Sequence, residues 1–66
     1  MIIDIDIYRT ANLLIEQYGA DGAGMHAAMR ADELLARGDM DGAAVWRQVI
    51  TAIKELQNMK PNGAVH

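Results

Sequence analysis

Apolar residues recur at intervals of three and four along most of this chain, in three successive runs. In the first, Ile7, Ala11, Leu14, Ile15 and Tyr18 fall on one side of a helix, with Arg9, Asn12 and Glu16 opposite. Its beginning allows two readings. Ile3, Ile5 and Ile7 alternate with Asp4 and Asp6, which is the period of a half-buried strand. Alternatively Asp4 caps a helix, with Ile3 stapled to Tyr8 and Asp6 favoured by the helix dipole. The helical spacing continues, and there is no second strand to pair with, so the pattern predicts a helix over 4–18. In the second run Ala27, Ala28, Ala31, Leu34 and Leu35 oppose a polar face of His26, Arg30, Glu33 and Arg37, predicting a helix over 23–37. The third predicts a helix over 42–59. Val45, Val49, Ala52, Ile53 and Leu56 form its apolar row, which Trp46 and Ile50 widen beyond what one neighbour covers. Arg47, Thr51, Lys54 and Asn58 make its polar face.

The residues between these runs supply helix stops and starts. Gly19 and Gly38 can each end a helix in the left-handed conformation. The stretch Gly19–Gly24, GADGAG, reads as a flexible link with Asp21 as the next cap. After Gly38, Asp41 is the expected cap of the third helix, with Met40 stapled to Val45. So short a connection folds the second and third helices back on each other. Lys54 and Lys60 suit the C-terminal dipole, Pro61 stops the helix, and 61–66 should fray. The expected fold is all-α: one small three-helix domain over 1–66, made of an antiparallel hairpin and an N-terminal helix.

Length and composition narrow the function. A chain of 66 residues has a thin core, and small domains supplement one with disulfides, metal or self-association. There is no cysteine, which removes disulfides and thiolate metal sites and leaves self-association. The net charge of −3 has no basic stripe, arguing against nucleic acid. No apolar run approaches the ~20 residues that span a bilayer. Two aspartates occupy the amino terminus, where a secretory signal needs positive charge. The expectation is a soluble, cytoplasmic protein.

Candidate chemistry is weak at every position. GADGAG has neither the preceding strand of a dinucleotide site nor the following lysine of a P-loop. Asp39-Met40-Asp41-Gly42 resembles part of a calcium loop, but that register puts Arg37 at the first ligand position and Gln48 at the last. His26 has no second His or Cys at ligand spacing and is expected in solvent, with His66 in the tail. The chain has no serine, and Thr10 and Thr51 lie mid-helix. Asp32, at the edge of the apolar face, should pair with Arg9 or Arg47. Met25, Met29 and Met40 cluster around the second helix and the turn, as gap-fillers or a partner-facing patch. No catalytic, cofactor-binding or metal residue is assigned, no cofactor is expected, and the protein is not expected to be an enzyme.

Ala27 and Ala31, Leu34-Leu35, the Gly38-Asp39 turn and Ala43-Ala44 together resemble a single tetratricopeptide-type hairpin, a layout shared by antiparallel helix pairs. The whole chain also resembles a group of short uncharacterised alphaproteobacterial proteins, a domain of unknown function. The shared features are the run Tyr8 to Ile15, Arg30-Ala31-Asp32, the turn Gly38 to Gly42, and Val45-Trp46-Arg47. That resemblance implies a helical fold and no site. The expected function is a protein-interaction module that forms a homo-oligomer through Trp46, Ile50, Ile53 and their neighbours. The alternatives are a helix-turn-helix-like DNA-binding regulator, which would read bases with the third helix, and a small-ligand-binding accessory subunit.

Overall fold

Gly19 sets the path of the chain. The structure, a computed structural model, describes residues 4–59. Its regular structure is all helix, with α1 over Asp4–Ala36 and α2 over Met40–Met59, and no strand among the described residues. The expected count of three helices is therefore corrected to two. The 4–18 and 23–37 runs belong to one element, broken only at Gly19, whose φ of 79° and ψ of 170° are non-helical. That region of backbone space is essentially open to glycine alone, so one residue turns the chain and no link is needed. Residues 20–24 are already helical. Asp21 is an exposed residue inside the helix rather than its cap.

The two arms of α1 lie along α2 in opposite senses. Ile7 lines one groove with Val45 and Val49, and Ile15 another with Leu56, so the first arm runs with α2. Leu34 adjoins Gly42 and Arg30 lies over Trp46, so the second arm runs against it. The reversal brings the arms very close: a Cβ at Gly22 would stand 2.9 Å from that of Tyr18. The buried cluster takes Ile7, Ala11 and Leu14 from the first arm, Ala23 and Ala27 from the second, and Val49, Ala52 and Ile53 from α2. Ile15, Trp46, Ile50 and Leu56 pack against it. Alanine at the contact positions permits close helix approach while contributing little apolar area per residue.

The connection between α1 and α2 shows how few residues a reversal needs. Gly38 has φ of 82°. Its amide donates to the Leu35 carbonyl at 2.9 Å and the Asp39 amide to that of Leu34 at 2.8 Å, the paired bonds of a Schellman motif. The Asp39 carboxylate then accepts from the Gly42 amide at 2.9 Å, and its carbonyl from Ala43. Asp39, not Asp41, is the cap of α2, which starts at Met40 rather than Gly42. The expected staple falls with that register, because Met40 is now inside the first turn and 62% exposed. Asp41 keeps a place beside the positive end of the helix dipole.

At the N-terminus the helical reading holds from Asp4, with Ile7 buried and Ile5 exposed. The Ile3–Tyr8 staple, the side chain of Asp4, Lys60, the Pro61 stop, the 61–66 tail and His66 lie outside the described residues.

Candidate interaction surface

The apolar row of α2 is turned inward. Val49 and Ala52 are buried, Ile53 is 2% exposed, and Val45, Trp46, Ile50 and Leu56 are half-buried. Both arms of α1 share in covering this row, which is why its width exceeds one neighbour. Arg47, Thr51, Lys54 and Asn58 form the exposed side, as their spacing predicts. The hydroxyls of Thr10 and Thr51 donate to the carbonyls of Asp6 and Arg47, four residues back in each case.

An aromatic contact ties three stretches of chain together. The His26 ring stacks on Tyr18 with centroids 4.9 Å apart, and meets Trp46 edge-on at 6.3 Å. The Arg30 guanidinium lies 5.7 Å from the Trp46 ring centre, in the range of a cation–π contact. His26 is thus half-buried between rings rather than in solvent. Sequence spacing put His26 and Arg30 on one face, but could not show Tyr18 returning to that face across Gly19. Arg30 also pairs with Glu33 at 3.3 Å, the one ion pair among the described residues. Asp32 is exposed and makes no pair with Arg9 or Arg47. It sits on the outer side of the second arm, away from α2.

Large apolar side chains left outside are concentrated on α1. They include Ile5, Leu13 at 53% exposure, Tyr18, Met25 at 68%, Met29 at 57% and Leu35. Among the residues whose side chains are described, Met40 is the one that α2 contributes. The methionine cluster seen in the sequence is therefore on the surface, not filling gaps in the core.

An open groove of about 330 Å³ lies between the first arm and α2, lined by Ile7, Tyr8, Gln48, Thr51, Ala52 and Glu55. The Tyr8 hydroxyl donates to the Glu55 carboxylate beside it. Among the described residues no three His, Cys, Asp or Glu side chains gather closely enough to hold a metal ion, and no helix is long and apolar enough to cross a membrane. Compared with known proteins, the chain matches no family model, no curated protein and no solved structure.

Proposed function

We propose that this protein is an interaction module that works by contact between helix faces, without chemistry of its own, and that a second copy of itself is one partner. The observation that supports the reading is the set of large apolar side chains exposed on α1. Ile53 is buried while Trp46 and Ile50 are half-buried against the core, so the self-contact anticipated through these three draws on the exposed parts of Trp46 and Ile50.

The first arm offers a self-complementary alternative. Arg9 and Glu16 are exposed, seven residues or about two turns apart, with Asn12 and Leu13 between them. Neither forms an ion pair among the described residues. In an antiparallel pair about a two-fold axis between Asn12 and Leu13, each Arg9 meets Glu16 of the second copy. Exposed pairs of this kind contribute roughly 0–1 kcal/mol, so they set register while Leu13 and Ile5 supply apolar contact.

Sedimentation equilibrium from low to high micromolar concentration tests this. The expected result is a monomer–dimer equilibrium, weakened by Leu13→Asp and by Arg9→Glu, and restored when Arg9→Glu is combined with Glu16→Arg. A species of 7.2 kDa at all concentrations would remove the self-pairing.

A further inference from the structure

We infer that the outer face of the second arm docks a basic amphipathic helix of another protein. Asp21, Met25, Ala28, Met29 and Asp32 fall within about 100° of one another on a helix of 3.6 residues per turn. All five are exposed or half-buried. The basic residues of this arm, His26, Arg30 and Arg37, lie on the other flank, where His26 and Arg30 are engaged by Trp46. The sector therefore combines flexible apolar side chains with two unpaired carboxylates and no positive charge. Methionine adapts its shape to whatever helix is laid on it, and an amphipathic helix is the usual occupant of such a face.

Charge selects among occupants. An antiparallel second copy that set Met25 against Ala28 would also set Asp21 against Asp32, twice. A parallel copy would set each aspartate on itself. A phosphate backbone or an anionic lipid surface meets the same repulsion. A helix carrying Lys or Arg fits instead. Asp21 and Asp32 are eleven residues apart in unbroken helix, about 16 Å at 1.5 Å per residue. The complementary helix places two cations at that spacing with apolar residues between them.

The inference rests on the reading of the chain as an interaction module, but uses a different face from the self-contact. Its test uses the full chain with methyl-labelled methionine and a designed helical peptide, with lysines eleven positions apart on its leucine face. A control peptide of identical composition carries the lysines on the opposite face. The expected result is saturable binding that shifts the Met25 and Met29 methyl resonances and spares Met40. The control should bind about tenfold more weakly, and so should the Asp21→Lys, Asp32→Lys double variant, at low salt where exposed charges act most strongly. Both sites are exposed, so circular dichroism of the double variant should match the parent. Equal binding of both peptides, no shift at Met25 and Met29, or indifference to the charge reversal would each overturn the inference. Shifts of these two methyls on concentrating the protein alone would overturn it too, by showing that a second copy covers the face. Self-association through Leu13 would survive any of the first three outcomes, so the two readings fail separately.

Discussion

Asp39 serves both helices at once. Its amide closes the end of α1 on the Leu34 carbonyl, and its carboxylate holds the Gly42 amide at the start of α2. Replacing it by alanine removes only the second of these, so Asp39→Ala should destabilise the fold by about 1 kcal/mol, with Asp39→Asn retaining most of the cap. Gly42 is bound into the same arrangement. A Cβ there would stand 2.7 Å from the Asp39 Oδ2 atom and 3.0 Å from the Leu34 Cδ1 atom. Gly24, also helical, has nothing within 4 Å of the same position. Glycine in a helix interior is worth roughly 1 kcal/mol less than alanine. Gly24→Ala should therefore gain about that much, whereas in Gly42→Ala displacement of the capping carboxylate cancels the gain. Urea denaturation of the two variants side by side checks this, and equal gains would show that the Asp39 contact does not constrain Gly42.

At the scale of the element, the bend in α1 depends on one residue. Gly19→Ala puts a Cβ on a backbone with φ of 79° and ψ of 170°, and should destabilise by about 1–3 kcal/mol although the site is open. An unchanged urea midpoint would mean that the bend tolerates a side chain. That a break falls at Gly19 was legible in the sequence, as was the inward row of Val49, Ala52 and Ile53. The absence of a link was not. A glycine-rich stretch reads as a loop by composition, whereas here Ala23 and Ala27 pack fully into the core and hold residues 20–24 helical. Gly22 is needed because Tyr18 passes so near. The choice between Asp39 and Asp41 as cap was equally hidden, since both are good capping residues one position from a glycine. It is decided by the Schellman bonds, which deliver the chain to the next helix immediately after Gly38. Of the candidate surface, composition showed the methionines, but their exposure follows only once the buried side of each arm is fixed.

At the scale of the whole molecule, the core is narrow and rich in alanine. Ile7, Leu14, Val49 and Ile53 are its larger buried side chains, with Trp46 half-buried against them. A domain of this size has only a few kcal/mol of stability. Trp46→Ala, which also removes the partner of His26 and Arg30, should cost about 3 kcal/mol or more and leave the chain largely unfolded by circular dichroism. So small a reserve makes stability itself a sensor of association. Any partner that binds the folded state alone adds to its stability by mass action, about 2.7 kcal/mol when present at a hundredfold excess over its dissociation constant. For a domain of 60–100 residues each kcal/mol moves the midpoint by about 4–8 °C, so a self-associating chain should melt roughly 10–20 °C higher on passing through that range. Leu13→Asp should flatten the dependence without lowering the dilute-solution midpoint appreciably, since Leu13 lies outside the buried cluster. A midpoint independent of concentration in the parent protein would refute self-pairing, and would mean that the inward row of α2 and its alanine-lined neighbours hold the fold alone.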